Sequence, residues 1–443
     1  MALNCLLISI NTTKTPYVVH PLGMAHIAGA LEKQGHSVQQ YDVLVENGIE
    51  GLHGIYEKQK PDVIGISIRN IDTVDSADPQ FFLKEALQTI NEIKQLFDVP
   101  IILGGGAFTL FPELILQKLQ ANYGISGEGE KAMCTLVAQI EHGNAPTKGT
   151  LIQGVPTSDG KWLPVAYDER ITDYYCRRGG MLNVQTKRGC PFKCDYCSYP
   201  TLEGNTYRFR DAKEVVDEVE RLKSEYGNKY LFFTDSVFND HKEHYLEISE
   251  ELIRRENKIP WCAYFRPSHL SKEAMKIMAR SGLHAMEFGT DASSDETLKG
   301  MHKAFQMKDV FETHELVRAF DIPSAHFIIF GGPNETAETL QEGLDNLNRL
   351  EGAAIFGFSG IRILPNAPIQ KRAIQEGVIG GDDNLLEPIF YYSAHINRAY
   401  MENEIKKAWK SETTKIFPVS DSLSTIDDMH KVGLVGPLWD KLL

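Results

Sequence analysis

The sequence is short of positive charge. It has 46 lysines and arginines against 60 aspartates and glutamates, a formal net charge of −14. That balance argues against nonspecific attraction to nucleic acid or to an anionic membrane. Cysteine is scarce as well. Seven cysteines in 443 residues, an odd number, speak against a disulfide framework and fit a reducing compartment. Long apolar runs are missing, and none approaches the ~20 residues that a membrane span needs. The opening stretch, MALNCLLISINTTKTP, lacks the basic segment and small-residue cleavage site of a secretory signal. The cytoplasm is therefore the expected location. G-x-S-x-G does not occur, which leaves a serine nucleophile elbow without support.

What the sequence has is alternation. From residue 1 to 142, strand-length runs (LNCLLISI, SVQQYDV, DVIGISI, PIILGGG, NYGIS) alternate with stretches of helical period such as PLGMAHIAGALEKQG and FFLKEALQTINEIKQLF. This pattern predicts an α/β, doubly wound (Rossmann/flavodoxin-like) domain of five parallel strands, with ligands at the carboxyl ends of the strands. Residues 143–180 are rich in Gly, Pro and Thr. They read as a linker with a short hairpin around Asp159-Gly160. A second array covers 181–365, with strands LNVQT, YLFFTD, WCAYFRP, HAMEFGT, SAHFIIFGG and AAIFGFSGIRI. Six strands with helices between them predict an α/β barrel or part of one, because a closed barrel uses about eight. Residues 366–443 form a mostly helical C-terminal region, expected to shape the substrate pocket.

The most specific motif is C-x3-C-x2-C, made by Cys190, Cys194 and Cys197 in TKRGCPFKCDYCSYP. It follows the first strand of the second array directly. Three thiolates on one loop can wrap one face of a [4Fe–4S] cluster, and full cysteine ligation would take about four. The triplet thus leaves one iron open to a small molecule. Structural zinc is the rival, but it needs a closed set of four ligands. The closest further cysteine, Cys176, lies upstream across Gly179-Gly180. Lys187 reads as solvated loop charge, and Arg188, Arg208 and Arg210 flank the loop.

The run GCPFKCDYC, placed after a strand and opening a βα array, resembles the radical S-adenosylmethionine (SAM) superfamily over about residues 181–365. In that family three cysteines hold a [4Fe–4S] cluster and SAM chelates the fourth iron. One electron then cleaves SAM to methionine and a 5′-deoxyadenosyl radical. The resemblance implies a partial (β/α)6 barrel with Cys190, Cys194 and Cys197 as cluster ligands. It also implies SAM contacts. Thr234, Asp235 and Ser236 end the second strand, where the family contacts the SAM amino group. Arg266 ends the third and is the candidate partner of the SAM carboxylate. Glu287 and Asp291 belong to EFGTDASS, where the family has EFGIES-like residues at the ribose; this chain has Thr290-Asp291 in place of Ile-Glu. Gly332 and Pro333, in GGPNE, resemble the turn near the adenine. Tyr196 is a candidate cover for the cluster or the adenine ring.

Residues 1–142 resemble the cobalamin-binding domain that precedes the barrel in one class of that superfamily. The likeness is carried by PLGMAHIAGALEKQGHSV, PDVIGISIRNID, PIILGGGAFTLFPE and YGISGEGE. Gly104, Gly105 and Gly106 at a strand end allow close approach by a bulky ligand. Gly127, Glu128 and Gly129 open a helix whose N–H groups can receive a polar group. Arg69, Asn70 and Asp72 follow the third strand and are candidates for the lower face of the corrin. The D-x-H-x-x-G signature, whose histidine ligates cobalt in many cobalamin proteins, is absent. Arg69, always protonated, cannot ligate cobalt readily and is expected to favour a weakly coordinated metal. His20 and His26 are further candidate contacts.

The combined resemblance implies a cobalamin-dependent radical SAM methyltransferase with three cofactors: a [4Fe–4S] cluster, SAM and cobalamin. A methyl group would pass from methylcobalamin to an unactivated carbon of a substrate radical. The implied partners are a small-molecule, lipid or peptide substrate and an electron donor of flavodoxin or ferredoxin type. A non-methylating member of the class (cyclisation, rearrangement, oxidation, lipid modification) is the alternative. A cobalamin- and cluster-binding sensor is the alternative from another class.

Overall fold

The computed structural model describes residues 2–14, 17–58, 60–158, 160, 162–422, 428–429 and 432–443. Its first sheet contains β1 (Asn4–Ser9), β2 (Ser37–Asp42), β3 (Val63–Ser67), β4 (Ile101–Gly104), β5 (Tyr123–Ser126) and β6 (Thr150–Gln153). All pairs are parallel, in the order 2-1-3-4-5-6. The central strands are apolar on both faces because helices cover both. Leu6, Ile8, Ile64 and Ile66 pack on one side, and Cys5, Leu7, Val63 and Ile102 on the other. The strand order reverses between β1 and β3, which opens a crevice at their carboxyl ends.

The sixth strand was not expected. It comes from the stretch read as a linker, as does the helix Glu169–Gly179. TLIQ is four residues long with no fully buried position, so it carries no periodic signal. The helix is marked mainly by its cap, since the Asp168 side chain accepts from Ile171 N–H at 3.0 Å. Of the expected hairpin, Asp159 lies outside the described residues; Gly160 N–H donates to Phe209 O.

The second array begins at β7 (Leu182–Val184), followed by the antiparallel pair β8 (Lys187–Arg188) and β9 (Arg208–Phe209). Then come β10 (Leu231–Phe233), β11 (Trp261–Phe265), β12 (Leu283–Asp291), β13 (Ser324–Phe330) and β14 (Ala354–Ser359). β15 (Ile361–Arg362) and β16 (Phe390–Tyr391) form another antiparallel pair, and β17 (Lys415–Ile416) joins the edge at β14. The resulting parallel sheet runs 7-10-11-12-13-14-17 and does not close, so the barrel is partial. Phe232, Cys262, Ala285, Ala325 and Phe356 face its bore. Trp439, from the last helical turn, plugs that bore from the amino ends of the strands.

The C-terminal region supplies helices Pro368–Gln375 and Arg398–Trp409. Trp409 is core, its ring 5.7 Å from Phe330, whereas Tyr400 is exposed. One buried ion pair ties the segment after β3 to β15: Arg362 Nε lies 2.8 Å from Asp72 Oδ2, and Arg362 also donates to Leu385 O of the C-terminal region. Arg362→Met would strand the Asp72 carboxylate. Urea unfolding should show a loss of about 3–5 kcal/mol, and a loss under about 1 kcal/mol would contradict that assignment.

Candidate functional site

The cysteine loop is fixed at its root by one buried carboxylate. Asp235, just past β10, accepts from Thr186 N–H at 2.7 Å and Lys187 N–H at 3.2 Å. Its other oxygen takes the Thr186 hydroxyl at 2.5 Å and faces Lys187 Nζ at 3.2 Å. Lys187 is thus not the solvated charge expected. It is buried between Asp235 and Asp240, because the strand end turns it inward. Ser236 Oγ donates to Gly189 O at 3.2 Å. Gly189 has φ +87°, and a Cβ there would overlap Thr206 O.

From this root the loop presents Cys190, Cys194 and Cys197. Cys197 N–H donates to Cys194 O at 3.2 Å, closing the last turn. Burial pushes the Cys190 thiol up and the Cys197 thiol up to about 12, and the neighbouring thiols push both further. The three cysteines thus lie close enough on one loop to influence one another's charge. Among the described residues no three His, Cys, Asp or Glu side chains converge on a single ion. Three thiols within eight residues of one loop fit a larger cluster held on one face.

Two cations lie over the loop's aromatic side chains. Arg266 is 4.0 Å from the Phe192 ring centroid, and Lys303 Nζ is 5.7 Å from that of Tyr196. Phe305 separates them, 5.1 Å from Arg266 and 5.3 Å from Lys303. Arg266 Nε bonds Ser268 Oγ at 2.9 Å, and its guanidinium also donates to Ala304 O. Both acceptors are neutral, so its charge is available to an anion.

The other strand-end residues divide. Asp291, at φ +64°, accepts from the Tyr196 hydroxyl and pairs with Lys303. Glu287 points into the bore and accepts from Trp439 Nε1 at 2.8 Å; burial pushes its carboxyl up to about 7. Gly332 and Pro333 lie in the turn after β13, where a Cβ on Gly332 would overlap Met301. Glu335 of that turn accepts from Gly331 N–H at 3.2 Å and Thr339 Oγ1 at 3.2 Å.

A cavity of about 390 Å³ opens where the carboxyl ends of both sheets meet. The first sheet contributes Arg69, Gly104, Gly105, Gly106, Gly127, Glu128 and Gly129, and the second contributes Gln185, Arg188, Tyr199, Glu203 and Thr234. Gly105 has φ +102°, and a Cβ there would press on Ile68 O. Arg69 opens onto this cavity, and loss of solvent pushes its guanidinium pKa down. Asn70 does not line it. Asp72 is turned away to Arg362. Glu128 is engaged with Arg188 at 3.0 Å and with Thr157 N–H at 2.9 Å. His26 lines the cavity with Nε2 unpartnered, and burial lowers its pKa to about 4. His20 is buried elsewhere, beside Tyr167 and Tyr175.

Residues 8–137 match the B12 binding domain, and residues 184–347 match the radical SAM superfamily. The chain carries a B12-binding domain followed by a radical SAM domain. It is 24% identical to a tryptophan 2-C-methyltransferase of Streptomyces laurentii, over 83% of this chain and 74% of that one. It is 26% identical to an anaerobic magnesium-protoporphyrin IX monomethyl ester cyclase of Rubrivivax gelatinosus, over 73% of this chain and 60% of that one. Its fold matches that of a radical SAM methyltransferase, TsrM, from Kitasatospora setae, solved with tryptophan and a SAM analogue. The TM-score is 0.88 at 22% identity, covering 100% of this chain and 97% of that chain.

The residues present fit the cofactors these domains take. The radical SAM domain offers three thiols with an unpaired guanidinium beside them. The B12-binding domain offers a side-chain-free glycine shelf and a histidine nitrogen without a partner. Sequence reasoning missed Lys303, Tyr199 and the cavity role of Arg188. Lys303 lies outside any strand-end motif, in MHKAF, and only the fold brings it to Tyr196.

Glu287 yields a pH test. Its folded pKa of about 7 is above the ordinary 4.5, so folding is favoured by the protonated form. Stability from this group is complete below about pH 4.5 and is lost as pH rises through 7. Glu287→Gln should therefore gain stability relative to the parent between pH 4.5 and 7 in denaturant titrations. A pH-independent difference would contradict the assignment.

Proposed function

We propose that the chain is a cobalamin-dependent radical SAM methyltransferase that methylates carbon in a small-molecule substrate. The observation that carries this reading is a cavity shared by the carboxyl ends of both sheets and lined by Arg188 and Tyr199, which flank the cysteine loop in sequence. When bound, the cluster with SAM supplies one-electron cleavage of SAM, and cobalamin supplies a transferable methyl group.

The chain's own residues have separate tasks. Cys190, Cys194 and Cys197 hold the cluster. Arg266 receives the SAM carboxylate, since its present bonds leave its charge unpaired. Thr234 reaches the cavity from the strand end where the SAM amino group is expected. The glycines at 104–106 would admit the corrin, and Arg69, which lines the same cavity, would lie beside it as a charge that does not readily ligate metal. The cavity walls would hold the reacting groups of both domains toward one substrate. A flavodoxin- or ferredoxin-like protein would donate the electron, in the cytoplasm. Among the described residues no helix is long and apolar enough to cross a membrane.

A non-methylating reading has one specific support: the Rubrivivax cyclase is 26% identical, against 24% for the methyltransferase from Streptomyces, though over less of both chains. Product counting separates the two. The anaerobically reconstituted chain should hold about four irons and four sulfides, lost in Cys194→Ala. L-Tryptophan is the first probe, given the substrate named for the Streptomyces and Kitasatospora proteins, followed by other indoles, lipids and peptides. With an accepted substrate, S-adenosylhomocysteine should accumulate with the methylated product. Turnover without S-adenosylhomocysteine would favour the cyclase-like reading, and failure to bind iron or cobalamin would end both.

Arg69→Ala should change the absorption spectrum of bound cobalamin and slow methyl transfer at least tenfold, about 1.4 kcal/mol in barrier. Unchanged spectra and rates would remove Arg69 from the site.

A further inference from the structure

The cation at Lys303 is not explained by any motif. Its side chain is 8% exposed and that of its partner Asp291 is 10% exposed. Lysine is rarely buried this deeply without a function or a partner. Here a partner exists, yet the pair lies against a loop whose cysteines are the proposed cluster ligands. The Lys303 ammonium is within reach of the Tyr196 hydroxyl at 3.4 Å, and Tyr196 separates Cys194 from Cys197.

The chain around Lys303 is held on both sides. Asp195 N–H donates to Met301 O at 3.0 Å, and His302 Nδ1 lies 2.7 Å from Asp195 Oδ1. Ala304 O accepts from Arg266. Residues 301–305 thus lie as a strap along the cysteine loop, with Lys303 at its centre. Asp195 also carries Arg372, 3.2 Å away on the helix Pro368–Gln375, so the C-terminal region braces the same strap.

We infer that Lys303, balanced by Asp291, sets the reduction potential of the cluster held by Cys190, Cys194 and Cys197. The physics is direct. Three thiolates and their cluster carry negative charge, and reduction adds one more electron. A fixed cation in a dry site lowers the cost of that addition, while a fixed anion raises it. Water and salt screen such a buried charge only weakly. Phe305 and Tyr196 cover the ammonium, which keeps it dehydrated and immobile.

The inference rests on the three-cysteine cluster reading and predicts opposite signs for the two partners. The experiment is an EPR-monitored redox titration of the anaerobically reconstituted full-length chain, without SAM, with iron and sulfide counted in each sample. Lys303→Met should shift the midpoint potential to a more negative value, and Lys303→Arg should restore it. Asp291→Asn should shift it to a less negative value. If Lys303→Met fails to load a cluster, the sign for Asp291→Asn decides. Parent-like potentials in loaded variants, or shifts of one sign in both, would overturn the inference. An absence of iron and of the EPR signal in the parent chain would instead overturn the cluster reading.

Discussion

A buried guanidinium beside the cysteine loop joins the two halves of this protein. Arg188 lies two residues before Cys190, and its fork reaches Glu128 at 3.0 Å and Glu130 at 2.7 Å on the other sheet's cavity rim. Its plane lies 4.5 Å from the Trp162 ring, and its Nε is held by Gln185 at 2.9 Å. Burial alone would raise the Glu130 carboxyl; the Arg188 charge and hydrogen bond, with smaller neighbouring contributions, together hold it down to about 2. Such a pair contributes little net stability compared with an apolar contact, but it fixes register, because neither charge can be buried alone. The glycine shelf of the B12-binding domain and the residues that flank the cysteine loop, Arg188 and Tyr199, line one cavity beside this contact.

Within that frame, each domain solves its own problem at its strand ends. The first sheet removes side chains where a large ligand must approach, at Gly104–Gly106. The second sheet spends carboxylates to make its loop rigid. Asp235 holds the root of the loop and Asp291 holds its tip through Tyr196. These acids are structural partners of the loop first, which leaves Arg266 as the charged group with capacity for an incoming anion.

Much of this was legible in the sequence, and the limit is physical. Fully buried parallel strands read as apolar runs, so the strands of both arrays stand out, and C-x3-C-x2-C locates the loop without ambiguity. The edge strand β6 did not stand out, because it is short and half-buried. Strand-end motifs locate an end but not the direction of each side chain. Glu287 and Asp291 lie four residues apart on β12, and one meets Trp439 in the bore while the other meets Lys303. Ion-pair partners are least legible of all. Arg188 and Glu128 are 60 residues apart in sequence, and Lys303 and Tyr196 are 107 apart. Composition marks such charges as ordinary surface, which is why Lys187 was expected in solvent.

The central claim is that the two cofactor sites share one cavity. The most direct measurement is the spin relaxation of bound cobalamin in its Co(II) state, with the cluster in the same molecule either reduced and paramagnetic or left diamagnetic. This account predicts markedly faster cobalt relaxation when the cluster is reduced, because the two centres are neighbours. Cobalt relaxation that is indifferent to the state of the cluster would contradict it.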